Sequence, residues 1–228
     1  MTILYSNGCS FTANRDISRW HRYPMLVGKH FGWQVVDRAV SGSCNSKIIR
    51  CAMRDCIDLL KHNEPIVALI QLTFKERFEY AGTPTGDNNW KYGEINTGLD
   101  FVPARDQFES LKPGDHLNWP DEVKQYAKLH TLLQKPDAID AELFSRLVGL
   151  TSFFKLNRIQ YLIYTGPEQF KNQLTTDDPF YQFLSNDPSV LNFLNFDMLA
   201  LTGKQTHPDQ VGMKKIAEYF INRLVEPT

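Results

Sequence analysis

Apolar residues in this chain follow two periods, and their alternation predicts the architecture. Short apolar runs read as strands: residues 2–6 around Ile3-Leu4-Tyr5, residues 33–37 around Val35-Val36, Ile66 to Leu72, and Ile159 to Tyr164. The run Ile66-Val67-Ala68-Leu69-Ile70-Gln71-Leu72 is continuous, as in a central parallel strand covered on both faces. Between these runs, apolar residues recur three and four apart. Ile48, Ile49, Ala52, Met53, Cys56, Ile57 and Leu60 share one face of a predicted helix. Residues 17–32 read as a helix made irregular by Pro24 and ended by Gly32. Residues 121–134, 137–157 and 209–224 read as further helices, and 168–200 as short helices covering one face.

Strand–helix alternation implies an α/β fold, a three-layer α/β/α sandwich around a parallel central sheet. Residues 80–120 break the pattern: they are rich in Gly, Pro, Asn, Asp and Trp and show no period. The expected organisation is one domain over 1–228, with a long functional loop or irregular insertion at about 80–120.

Composition narrows the classes of function. The 228 residues are 42% hydrophobic, enough for the core of one domain. A formal charge of -1 argues against wholesale nucleic-acid binding. Every apolar run is far shorter than the ~20 residues of a membrane span. The N-terminus lacks the basic-then-apolar order of a signal peptide, so a cytoplasmic location is expected. Cys9, Cys44, Cys51 and Cys56 have no Cys-x-x-Cys spacing and no accompanying histidine pair. They read as free thiols, and no metal site is expected. Thr202-Gly203-Lys204-Gln205-Thr206 matches part of a phosphate-binding loop, but Met198 stands where its first glycine belongs. Neither Gly-x-Gly-x-x-Gly nor Gly-x-Ser-x-Gly occurs as those motifs require. No organic cofactor is expected.

Candidate chemistry collects where a parallel sheet places sites, beyond the carboxyl ends of its strands. Ser10 follows the first strand in Gly8-Cys9-Ser10-Phe11-Thr12, either as a nucleophile on a tight turn or as a helix N-cap. Gly42 and Asn45 follow the second strand, where a backbone N–H and a side-chain amide are available to a substrate oxygen. The same stretch also serves as a loop capping the next helix. Thr73 follows the third strand. His207-Pro208-Asp209 precedes the last helix, either as a catalytic base in place or as ordinary capping chemistry. A serine from one end of the chain and a histidine from the other can meet over the sheet, as a nucleophile and its base do.

Taken together, these segments resemble the SGNH (GDSL-like) hydrolase superfamily. Gly8-Cys9-Ser10 matches its first block, with Cys9 in place of aspartate. Gly42 in Ala39-Val40-Ser41-Gly42-Ser43 matches the second. His207-Pro208 before the final helix matches the last, with Lys204 where the family has aspartate. The third block's asparagine is absent; Gln71, Thr73 and Arg77 are the candidates to substitute. The block Gln71-Leu72-Thr73 followed by Arg77 and Glu79 is similar to small SGNH-like proteins of tailed bacteriophages. That similarity implies a virion-associated location if the chain is phage-encoded.

The resemblance implies a flavodoxin-like sheet and a serine-dependent ester hydrolase, with carbohydrate O-deacetylation as a narrower form. Ser10 would be the nucleophile and His207 the base, with Ser10, Gly42, Thr73 and Asn45 around the oxyanion. A small-molecule or glycan ester would be the substrate. Trp90, Tyr92, Phe101 and Trp119 of the insertion would then form a substrate wall or simply pack it down. The lost aspartate and asparagine point to the alternative, an inactive binding or structural protein of a virion or assembly on the same fold.

Overall fold

Successive side chains of the strand Ile66–Leu72 point to opposite faces, and this divides the core in two. The computed structural model describes residues 1–73, 135–166, 178–190 and 207–224, the backbone of 78–85 and 89–95, and the isolated positions 125, 129 and 133. Strands β1 (Ile3–Asn7), β2 (Gln34–Asp37), β3 (Ile66–Leu72) and β6 (Gln160–Thr165) form a parallel sheet in the order β2-β1-β3-β6. Counting only these four, this is the order of a doubly wound, flavodoxin-like sheet, whose ligand crevice opens between the first and third strands. Beyond β6, Ile163 makes a parallel bridge to Val190 at the next position outward.

Helices α1 (Tyr23–Phe31) and α5 (Gln210–Ile221) cover one face. There Tyr23, Val27, Met213, Ile216 and Phe220 pack on Leu4, Val67, Leu69, Leu162 and Tyr164. Helices α2 (Asn45–Leu60), α3 (Pro136–Leu156) and α4 (Pro179–Ser185) cover the other. Ile48, Ala52, Phe144, Leu147 and Phe154 meet Tyr5, Ala68, Ile70 and Ile163 on that side. Each fully buried large apolar side chain contributes about 1.5–3 kcal/mol. The three-layer α/β/α sandwich read from the alternation of periods is the observed architecture.

Two boundaries differ from the sequence reading. The helix expected over 17–32 is split into a 3-10 turn at Arg19–His21 and α1, which starts at Tyr23. Pro24 is in the first turn of α1, where its missing N–H costs nothing, so the proline starts the helix and does not distort it. Gly32 ends it in the left-handed region at φ 69°.

The stretch expected to be irregular from residue 80 begins instead as an antiparallel pair, β4 (Phe78–Thr85) and β5 (Asn89–Ile95). Its register shifts between Ala81 and Pro84. That shift, together with Gly82, Pro84 and Gly93, interrupts the period-two pattern that would have shown it. Trp90 and Tyr92 lie on β5, whereas Phe101 and Trp119 lie outside the described residues. The helix expected over 121–134 falls almost wholly outside them too, as does most of 168–200.

All four cysteines are free thiols. Cys56 is buried against the sheet, and burial with the neighbouring Asp55 pushes its thiol up to about 12, so it behaves as a small apolar residue. Among the described residues, no helix is long and apolar enough to cross a membrane.

Candidate active site

Strands β1, β2, β3 and β6 all end at the same edge of the sheet, and the polar residues of interest collect there. The chain leaves β1 through Gly8 and closes one tight turn: Thr12 N–H and Ala13 N–H both donate to the Cys9 carbonyl, at 3.0 and 2.9 Å. Ser10 is the first residue inside this turn. Its own N–H precedes the first bond of the turn and is not used within it.

The turn stands on Gln71, a fully buried side chain near the end of β3. Its Oε1 accepts from Cys9 N–H at 2.9 Å and from the Thr12 hydroxyl at 3.1 Å. Its Nε2 donates to the Leu72 carbonyl. The backbone donor at Cys9 fixes which end of the amide faces the turn. Gly8 is required here by space: a Cβ would lie 2.7 Å from Gln71 Oε1 and 2.8 Å from Gln71 Cβ.

Further hydroxyls extend the network. Thr12 Oγ1 lies 2.5 Å from Tyr23 Oη, and Tyr23 Oη bonds to Tyr164 Oη. Because Gln71 Oε1 only accepts, the Thr12 proton goes to it, Tyr23 donates to Thr12, and Tyr164 donates to Tyr23. Burial raises both phenols above their ordinary pKa, so this chain of donors stays protonated.

His207 arrives from the other end of the chain, and its Nε2 lies 2.7 Å from Ser10 Oγ. Its ring rests on buried Phe11, with centroids 4.9 Å apart. Two hydrogen bonds hold its loop. Asn14 Nδ2 donates to the Pro208 carbonyl at 2.9 Å, and Asp209 Oδ1 accepts from Gly212 N–H at 2.8 Å at the start of α5. Asn14 is itself fixed, because its Oδ1 accepts from Asp16 N–H at 3.0 Å. A cavity of about 570 Å³ opens beside His207.

The structure therefore brings Ser10 and His207 together. The loop after β2 runs beside the Ser10 turn, since Val40 N–H donates to the Gly8 carbonyl at 3.1 Å, and Gly42 follows at φ 90°. Asn45 and Thr73, expected as donors to an oxyanion, bond to each other. Asn45 Oδ1 accepts from Thr73 N–H at 2.8 Å, and Asn45 Nδ2 donates to the Thr73 carbonyl at 3.0 Å. The pair braces the start of α2 against the end of β3, and the Thr73 backbone N–H is spent on that brace.

Cys9, which stands where the resemblance expects aspartate, is fully buried in the core shared with α1 and α5. Lys204 and Arg77 lie outside the described residues. Among the described residues, no group of three His, Cys, Asp or Glu side chains could hold a metal ion.

Asn14 and the Tyr23–Tyr164 pair carry no signal in the sequence.

No protein-family model and no curated protein matches the chain. Solved structures do. The psychrotrophic esterase EstA from Pseudoalteromonas sp., in a structure inhibited by monoethylphosphonate, matches over 97% of this chain and 94% of that one, at 15% identity and TM-score 0.48. A G-D-S-L family protein from Desulfitobacterium hafniense DCB-2 matches over 98% and 99%, at 13% identity and TM-score 0.46. A member of the lipolytic protein G-D-S-L family from Veillonella parvula DSM 2008 matches over 100% of both chains, at 9% identity and TM-score 0.45. The turn that carries Ser10, the loop that carries Gly42 and the loop that carries His207 all lie at one edge of this sheet. Gln71 and Thr73 face the nucleophile turn and Asn45 respectively.

Proposed function

We propose that this chain is a serine-dependent ester hydrolase, with Ser10 as nucleophile and His207 as general base. The observation that carries the reading is the 2.7 Å contact between Ser10 Oγ and His207 Nε2, made by residues from opposite ends of the chain at the carboxyl edge of the sheet. For Nε2 to accept the hydroxyl proton, the neutral imidazole carries its own proton on Nδ1. Ser10 Oγ then attacks the ester carbonyl carbon as its proton passes to Nε2. The Ser10 and Gly42 N–H groups face the developing oxyanion, with the second Nδ2 hydrogen of Asn45 as a further donor. Collapse of the tetrahedral intermediate expels the alcohol, which takes the proton from Nε2. Water, activated by the same imidazole, then releases the acid from the acyl-enzyme.

The narrower form of the proposal is a carbohydrate O-deacetylase. The second reading, an inactive binding or structural protein of a virion or assembly, draws on Lys204 standing where an orienting carboxylate would be. Hydrolysis of p-nitrophenyl acetate by wild type and Ser10→Ala separates the two, with folding checked by circular dichroism. Activity confined to wild type is the expected result. Equal rates in both would leave the binding protein.

A further inference from the structure

One short segment of chain touches both halves of the catalytic edge. Residues 14–22 run from the nucleophile turn to the start of α1, and Asn14, Asp16, Ile17, Ser18 and His21 line the cavity beside His207. At one end Asn14 holds the histidine loop through the Pro208 carbonyl. At the other end is Arg22, the N-cap of α1, and its Nη1 lies 3.9 Å from Asp37 Oδ2.

Asp37 is the last residue of β2, and the chain that follows it carries Gly42. Its Oδ1 accepts from Ala39 N–H at 3.2 Å and starts the turn out of the strand. Ser43 N–H then donates to the Val40 carbonyl at 3.1 Å, with Gly42 at φ 90° in the third place, where a type II turn needs a positive φ. This turn sets the direction of the Gly42 N–H.

The Asp37 side chain is 3% exposed and that of Arg22 17%. A carboxylate so deep is costly without a counter-charge. Burial pushes its pKa up, against the pull of Ala39 N–H, Arg22 and Arg19. The guanidinium depends on the pair as well, because Arg22 Nε is buried with no hydrogen-bond partner among the described residues. Removing either charge leaves the other buried without its ion-pair partner, and the segment that ends in Arg22 loses its hold on the Gly42 loop.

We propose that the Arg22–Asp37 pair is a clamp across the site, and that Asp37 is a positioning residue acting through the Gly42 loop. The base and the oxyanion donor are then set by the same segment, from Asn14 at one end and from Arg22 at the other. The effect on catalysis rests on the esterase reading; the clamp itself does not.

The test uses the full chain as wild type, Asp37→Asn, Arg22→Gln, their double variant and Arg22→Lys. Asp37→Asn keeps the shape and the acceptor for Ala39 N–H and removes the charge. On p-nitrophenyl acetate each single variant is expected to lose about tenfold in kcat with KM within about twofold of wild type, because the displaced donor serves an oxygen that is charged only in the transition state. The double variant should be no worse than the poorer single one, since both changes remove one interaction. Arg22→Lys keeps the charge and should stay near wild type. Unchanged kcat in the single variants, losses that multiply in the double variant, or an Arg22→Lys as impaired as Arg22→Gln overturns the positioning role. Should Asp37→Asn fail to fold, Arg22→Gln, at the more exposed end of the pair, gives the same reading.

A second arm needs no turnover. The amide resonances of His21 and Ser43 are followed by NMR, and each variant is read on the loop it does not belong to. Arg22→Gln should shift the Ser43 amide and speed its exchange, and Asp37→Asn should shift that of His21. Amides unmoved across the pair overturn the clamp, whatever the kinetics. If wild type hydrolyses no ester while the crossed shifts appear, the esterase reading falls and the clamp stands.

Discussion

Asn14 and Pro208 lie 194 residues apart in the chain and are joined by one hydrogen bond, from Asn14 Nδ2 to the Pro208 carbonyl at 2.9 Å. This bond ties the loop after the nucleophile turn to the loop that carries the histidine. Asn14→Ala is expected to lower kcat on p-nitrophenyl acetate about 10–100-fold with little change in KM, because the imidazole loses its position relative to Oγ. Asn14→Asp keeps the acceptor for Asp16 N–H and replaces the donor to Pro208 with a carboxylate oxygen, which cannot make that bond. It should therefore lose kcat as Asn14→Ala does. Full activity in Asn14→Asp would show that the bond to Pro208 is dispensable.

Gln71 supports the turn from below. Gln71→Leu leaves Cys9 N–H and the Thr12 hydroxyl without their acceptor in a fully buried place. Unsatisfied buried groups cost about 1–3 kcal/mol each, so unfolding by urea should show a loss on the order of 3 kcal/mol. The same variant should lose activity even where it remains folded, because the turn is released. A variant of wild-type stability would mean that the turn holds itself.

The sheet and its helices are legible in the sequence because each buried element shows its period. The continuous run of β3 and the helical spacing of Ile48, Ala52 and Cys56 depend only on which faces meet the core. Ser10 and His207 are legible because each has a distinctive setting beside a strand end or a helix start. Gln71 reads as a substitute for a missing asparagine, yet it serves the turn. A single polar residue in an apolar run announces that it has a partner without saying which. Asn14, Tyr23 and Tyr164 are not legible, since their bonds join segments from both ends of the chain. The antiparallel pair β4–β5 is hidden by its own glycines and Pro84.

Asp209 caps α5 by accepting from Gly212 N–H. An asparagine at this position would accept the same bond, so Asp209→Asn is expected to stay within about 0.5 kcal/mol of wild type, whereas Asp209→Ala loses about 1 kcal/mol. Thermal melts of the two variants check this. A fall in kcat of about a hundredfold in Asp209→Asn, without loss of stability, would instead make Asp209 a partner of His207 in catalysis.

Asp187 predicts a dependence on pH. It accepts from Tyr161 Oη at 2.5 Å, from Lys155 Nζ at 2.8 Å and from Ser189 N–H at 2.9 Å. Burial works to raise its pKa, but Lys155, Tyr161 and Ser189 together outweigh burial and hold the carboxyl below its ordinary value. The unfolded chain therefore binds this proton more readily than the folded one. The stabilisation is complete above the usual carboxylate pKa of about 4 and fades as pH falls through the lower, folded value. Asp187→Ala should cost about 1–3 kcal/mol at neutral pH in urea unfolding, and the gap to wild type should narrow in acid. A gap that is the same at both pH values would assign the role of Asp187 to packing alone.

The donor series from Tyr164 through Tyr23 and Thr12 to Gln71 ends at the backbone on which the nucleophile sits. Every member of it is uncharged, and burial keeps the two phenols protonated well into alkali. Over the interval in which an imidazole titrates, nothing in this foundation gains or loses charge. The serine is thus mounted on a support indifferent to acidity, and a proton arriving at the site changes the base without shifting the ground beneath the nucleophile.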